Sequence, residues 1–210
     1  MKIDLREIPV VWINLDSATD NAKAMQERLD KHGFKKTYRK SACVIPPPPG
    51  TPKEIAHYVG CGKSHLDILE NKDYSTPLLI LEDDAEFSEN FTPIIDIPDD
   101  SDGIYLGVSS GNVYYKTKRH NPDYLRISGI LATHAILYVT ETYRNAMAAV
   151  DNYCINVIKR PWDMGASALQ SQYKVYTPNK PFFYQSDNRE SANKWQFFTD
   201  GALEDRNSKI

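Results

Sequence analysis

The stretch Pro77-Leu78-Leu79-Ile80-Leu81-Glu82-Asp83-Asp84-Ala85 decides the reading of this chain, because an apolar run without polar alternation ends abruptly in three consecutive acids. Such a run predicts a strand buried on both faces, the habit of a central parallel strand in an α/β protein. Ligands of such sheets bind in the crevice at the carboxyl ends of the strands, so the three carboxylates stand where a site would open. Like charges crowded at one strand tip repel each other unless a cation or hydrogen-bond donors compensate. A solvated acidic turn after a core strand is the competing reading. On a continuing strand Glu82 and Asp84 share one side and Asp83 takes the other, which makes Glu82 and Asp84 the pair for a hard divalent cation such as magnesium or manganese. Acids spaced around a sugar would instead work as acid and base in glycoside hydrolysis.

Upstream, Val10-Val11-Trp12-Ile13-Asn14-Leu15 is a β-branched and aromatic run between Pro9 and Asp16, a first strand of a buried sheet. Asp16, Ser17 and Thr19 are turn and N-cap candidates for a helix over 22–32, closed by Gly33. A second strand is expected over 34–38, and the prolines 46–49 with Gly50 form an extended loop. Gly60-Cys61-Gly62-Lys63-Ser64-His65 lacks the spacing of a phosphate loop, since Gly60 lies too close to Lys63. Its second half reads as a helix beginning near Gly62 or Ser64, either offering backbone N–H groups or placing Ser64 and His65 against a ribose. His65 also suits a structural, hydrogen-bonded role.

Downstream, strands are expected over 103–107, 113–115, 124–127, 135–139, 173–176 and 182–184. Thr140 caps a helix over 141–150, and Asp163 precedes another reaching Leu169. A polar tail from Ser186 carries Trp195, Phe197 and Phe198. The pattern predicts an α/β fold with a central mixed, mostly parallel sheet flanked by helices.

The chain has 210 residues, 41% hydrophobic and 25% charged, with a formal net charge of -3. That suits one domain spanning 1–210 and gives no support to polyanion binding. Cys43, Cys61 and Cys154 form no close pair and no metal-ligand spacing, so neither a disulfide framework nor a zinc site is expected. With no signal peptide and no run of roughly 20 apolar residues, the expectation is a cytoplasmic protein, soluble or peripherally membrane-associated, without a membrane span.

Taken in order, V-W-I-N-L-D at 11–16, G-C-G-K-S-H at 60–65 and L-I-L-E-D-D-A at 79–85 resemble glycosyltransferase family 25. That family includes bacterial lipopolysaccharide and lipooligosaccharide galactosyltransferases and collagen galactosyltransferase domains. The likeness continues through Ile104 to Gly107, Thr133 to Tyr138, Pro161-Trp162-Asp163, and Pro181 with Gln185, and so covers essentially the whole chain. Viral and phage glycosyltransferases are similar in size, so a viral member in a host cytoplasm, or one module of a longer enzyme, fits as well.

The resemblance implies a GT-A-like nucleotide-binding domain, with donor and metal in the N-terminal half and acceptor side and base in the C-terminal half. It implies transfer of a hexose from a UDP-sugar to a hydroxyl of a glycan or glycoconjugate, with inversion. Asn14, Leu15, Asp16, Ser64, His65, Glu82 and Asp83 would face the donor. Asp84 and Glu82 would hold Mn2+ (or Mg2+), and Asp163 would be the catalytic base. The arginine-rich stretch that often follows the first motif is replaced by Ser17-Ala18-Thr19-Asp20-Asn21, which removes a cationic contact to the donor. Two alternatives remain: a transferase acting on modified phage DNA bases, which the net charge disfavours, and an inactive sugar-nucleotide or glycan-binding module.

Overall fold

The computed structural model describes residues 1–46, 53–108, 111–131 and 133–185; the expected proline loop beyond Pro46 and the tail from Ser186 lie outside them. In chain order the first strands are β1 (Lys2–Asp4), β2 (Val10–Asn14), β3 (Thr37–Ser41), β4 (Leu78–Glu82), β5 (Ala85–Phe87) and β6 (Ile94–Asp96). They are followed by β7 (Gly103–Tyr105), β8 (Gly111–Arg119), β9 (Tyr124–Ile130), β10 (Ala135–Tyr138), β11 (Val175–Pro178) and β12 (Phe183–Gln185). The helices are α1 (Thr19–Lys31), α2 (Lys53–Glu70), α3 (Glu141–Tyr153) and α4 (Trp162–Leu169), with a π-helical turn over Cys154–Ile158 after α3.

The apolar run forms β4, and it does not alternate because both sheet faces are covered. Leu78 and Ile80 enter one core; Leu79 and Leu81 enter the other. β2 divides in the same way, with Val11 and Ile13 on one side and Val10 and Trp12 on the other. Leu66, Leu69, Met147, Ala148 and Ala166 bring α2, α3 and α4 to the first face, and Met25 and Leu29 bring α1 to the second. Each fully buried aliphatic chain contributes about 1.5–3 kcal/mol, so β2 and β4 anchor both layers.

Eight strands form one sheet in the order β3-β2-β4-β10-β7-β11-β9-β8, drawing on both halves of the chain. β2 pairs in parallel with β3 and β4, and β7 pairs in parallel with β11. The ladders β4–β10, β10–β7, β11–β9 and β9–β8 are antiparallel. The sheet is therefore mixed, as expected, but the expectation of a mostly parallel one needs correction. Six strands share a direction, yet the reversed β10 and β9 sit between them and make most ladders antiparallel. β9 reverses because it closes a hairpin with β8. Two small ribbons, β1–β6 and β5–β12, stand apart from this sheet.

Several local readings hold with shifted edges. Thr140 caps α3, its hydroxyl accepting from Tyr143 N–H, whereas α1 begins after Ala18 with no side-chain cap. Gly33 ends α1 at φ 78°, a backbone conformation that disfavours other residues. The carboxyl end of α2 is closed by Arg144 of α3, which is 1% exposed and donates to the carbonyls of Leu69 (2.8 Å), Ile68 (3.2 Å), Asn71 and Tyr74. A buried guanidinium so placed satisfies the carbonyls that a helix end leaves without partners.

Candidate active site

The parallel register sets Ile13 of β2 opposite Glu82 of β4, so Asn14 comes level with Asp83 one residue further on. Asn14, 1% exposed, donates from Nδ2 to Asp83 Oδ2 at 2.7 Å and to the Ala18 carbonyl at 3.1 Å. Asn21 adds a donor to the same Asp83 oxygen at 3.2 Å. On its other side, Asn14 Oδ1 accepts from Arg39 Nε and Nη2 at 3.1 and 3.0 Å. Arg39 also meets Asp16 Oδ1 at 2.6 Å, and Ser41 donates its hydroxyl to that oxygen at 2.8 Å. The Arg39 guanidinium, then the Ser41 hydroxyl, holds the Asp16 carboxyl below its ordinary range. Leu15 between them is exposed. Asn14, Asp16 and Asp83 thus come together in one polar corner.

Arg39 was not among the expected site residues. It supplies, from the neighbouring strand β3, a positive charge of the kind that the Ser17-to-Asn21 stretch lacks. Its placement follows from the parallel β2–β3 register, which sets Arg39 opposite Trp12 and Ser41 opposite Asn14; the strand expected over 34–38 stops short of it.

The strand rule used for the three acids does not apply beyond Glu82. β4 ends there, and Asp83 and Asp84 occupy a turn before β5, so side-chain alternation stops. Glu82 turns toward α2 and accepts at Oε1 from Thr133 Oγ1 (2.8 Å), with His65 Nε2 at 3.0 Å from the same oxygen. Asp83 faces β2 rather than pointing away, and Asp84 Oδ2 accepts from Gln185 of β12 at 3.2 Å. The three carboxylates therefore engage three different elements. Burial opposes the charge on Glu82, but the His65 hydrogen bond, the fields of His65 and His134 and the Thr133 hydroxyl outweigh it and lower its pKa. His134, fully buried, is pushed down to about 4 by burial and stays neutral at pH 7.

Ser64 and His65 were expected at or near a helix start. They lie about three turns inside α2, so they offer no free backbone N–H groups. Both are 0% exposed. The Ser64 hydroxyl donates to the Gly60 carbonyl and accepts from Cys43 N–H, each at 2.8 Å, so it ties the segment after β3 onto α2. The two glycines belong to packing rather than to phosphate binding. A Cβ on Gly60 would meet the Cys43 carbonyl at 2.5 Å, and one on Gly62 would meet Ile155 Cγ2 at 2.5 Å and Asp151 Oδ1 at 2.8 Å.

Asp163 lies in the first turn of α4 and lines a cleft of about 310 Å³ together with Glu82, Thr133, Cys61, His57 and Trp162. Backbone N–H groups of Asp163 and Met164 hold its carboxylate, while Oδ1 is buried without a hydrogen-bond partner. Burial, aided by the nearby Glu82 charge, outweighs those N–H groups and raises its pKa. The structure thus brings Asp163 and Glu82 to one cleft, with His65 buried and bonded to Glu82 rather than lining it, and Asn14, Asp16 and Asp83 to the adjoining corner. A second cleft of about 570 Å³ includes Asp96, Arg119, Asp123, Tyr124, Asn179 and Lys180 in its lining and holds none of the expected site residues.

Together these features define an α/β protein with a polar corner and a buried-acid cleft around the carboxyl ends of β2 and β4. Neither a scan against protein-family models nor a search of curated proteins finds a match to the chain. Among the described residues no helix is long and apolar enough to cross a membrane.

Proposed function

We propose that this chain is a glycosyltransferase that moves a hexose from a UDP-linked donor, such as UDP-galactose or UDP-glucose, to a hydroxyl of a glycan or glycoconjugate. The observation that carries this reading is the juxtaposition of Asn14–Asp16 with Glu82–Asp84 at neighbouring strand ends, beside a cleft holding the partnerless Asp163 oxygen. Two motifs far apart in sequence meet where α/β sheets hold ligands, in the order that the family resemblance implies.

In this reading Arg39, its side chain 35% exposed, contributes positive charge beside the donor diphosphate, fixed in place by Asn14 and Asp16. Asp163 accepts the proton of the acceptor hydroxyl as that oxygen bonds to the anomeric carbon; the sugar–phosphate bond breaks and UDP leaves with its electron pair. A carboxyl raised by burial suits that proton transfer better than an ordinary one. Manganese or magnesium was expected between Glu82 and Asp84. As placed, Glu82 faces His65 and Thr133 while Asp84 faces Gln185, so the two do not form a ready hard-oxygen pair. No step here is derived through the cation.

The test is a panel of nucleotide sugars, each with and without manganese, read by thermal stabilisation and UDP release. A true donor at a hundredfold excess over its Kd should raise Tm by about 5–10 °C and release UDP slowly without acceptor. No shift and no release from any donor would sink the proposal. Stabilisation without turnover in the presence of glycan acceptors would leave a sugar-nucleotide-binding module in its place.

A further inference from the structure

Cys61 takes no part in the reaction above, and no metal-ligand spacing is evident around it when the helix is read as starting at Gly62 or Ser64. α2 changes that. Cys61 and His65 are four residues apart on one helix and lie on one face, the spacing at which two side chains converge. Across from them Glu82 ends β4. One ligand atom from each of the three lies within 4.8 Å of the others, and this is the sole cluster of three such groups among the described residues.

We propose that Cys61, His65 and Glu82 form a binding site for a zinc-class divalent cation, with a fourth position open to the cleft that carries Asp163. The donor set is a thiolate, an imidazole and a carboxylate, which selects zinc over magnesium or manganese. Ligands at about 2.0–2.3 Å from a tetrahedral zinc lie roughly 3.3–3.8 Å apart, so side chains already within 4.8 Å need only small adjustments. The surroundings are those of a held ligand set. Thr133 Oγ1 donates to Glu82 at 2.8 Å, and the Trp162 ring packs on the His65 ring at 4.5 Å between centroids. His65 is 0% exposed and its Nδ1 has no hydrogen-bond partner. The cleft beside the cluster leaves room for water or a ligand oxygen in the fourth position. The site does not depend on the glycosyltransferase reading, and its test does not measure transfer.

The experiment strips the full chain with a chelator and titrates it with Co2+. The expected result is one equivalent bound, with thiolate-to-cobalt charge-transfer absorption and the intense visible bands of four-coordinate cobalt. Zn2+ should displace it and excess Mg2+ should not. The absorption should disappear in Cys61→Ser and persist in Cys43→Ser, and Thr133→Val should weaken Co2+ affinity about 10- to 100-fold. Wild-type protein alone can overturn the proposal, by binding no Co2+ or binding it without charge-transfer absorption, so the outcome does not hang on whether a variant folds. Retention of the absorption in Cys61→Ser would overturn it as well.

Discussion

Adjacent acids at the end of β4 live in opposite surroundings. Asp83 joins an open corner where every charged group has a partner: two asparagine amides on Asp83, and Arg39 on both Asn14 and Asp16. Glu82 joins a cleft lined by α2 and α4, in which Asp163 has a partnerless oxygen; behind α2, outside that cleft, Asp151 has two. The corner is arranged ahead of time by hydrogen bonds within the chain, which suits holding a ligand of fixed shape and charge. In the cleft, burial outweighs the two backbone N–H groups on Asp163 and raises its proton affinity, whereas the His65 and Thr133 donors lower that of Glu82. Binding and proton transfer are thus assigned to different environments a residue apart, and each assignment can be broken separately.

The largest expected effect is at Asp163. Asp163→Asn keeps the shape of the cleft and removes the proton acceptor, so transfer should fall by about 10²- to 10⁴-fold while UDP-sugar affinity stays unchanged. Wild-type kcat should decline as pH falls through a pKa above the ordinary carboxylate value, and the variant should lack that limb. Full turnover in Asp163→Asn would exclude it as the base; a large loss of affinity instead would move it into the donor contacts.

Next is Asp151, 0% exposed on α3 against Gly62, whose carboxyl is pushed up to about 8 by burial. Its folded pKa lies above the unfolded value, so the folded state holds the proton more tightly. The associated stability is full below about pH 4 and is lost as pH rises toward 8. At pH 7 the difference amounts to a few kcal/mol. Asp151→Asn should therefore flatten the decline of Tm between pH 5 and pH 8 and raise Tm at the upper end. An identical pH profile in the variant would show that the carboxyl is ionised and compensated.

Gly62→Ala probes the same wall from the α2 side. The added methyl has no room against Ile155 and Asp151, so about 1–3 kcal/mol of destabilisation is expected, a Tm loss of roughly 2–12 °C. The corner does not touch Gly62, so UDP affinity of the folded variant should be unaltered. A neutral Tm would mean that α2 and α3 pack less closely.

How far the sequence reveals these two regions follows from the kind of signal each leaves. β2 and β4 were legible because burial on both faces writes an uninterrupted apolar run. β1, β5 and β6 were not, since three residues pair in small ribbons without setting up a periodicity. The grouping of Asn14 and Asp16 with the β4 acids could be anticipated from the habits of α/β sheets. Arg39 could not be placed without the β2–β3 register, and the direction of each acid depended on where β4 stopped. Gly60 and Gly62 obscured the length of α2, because glycine weakens a helical reading while here it permits close packing. With the helix started late, Cys61 fell outside it and its face-sharing with His65 went unseen.

The smallest effect, and the one that sharpens the corner most, is Arg39→Gln. Asp16 is 72% exposed in its pair with Arg39, so the bridge itself adds only about 0–1 kcal/mol to stability and Tm should move little. Its function in the proposed site is charge. Removing it should weaken UDP binding by about 1 kcal/mol, roughly fivefold at low salt, with kcat of the bound donor preserved. Because the guanidinium is partly exposed, the deficit should shrink as ionic strength rises and the wild-type advantage is screened. A salt-independent deficit would point to the loss of Asn14 orientation rather than of charge. Asn14→Ala, which frees Arg39 while keeping its charge, separates the two: it should reproduce the deficit only if orientation is what the diphosphate requires.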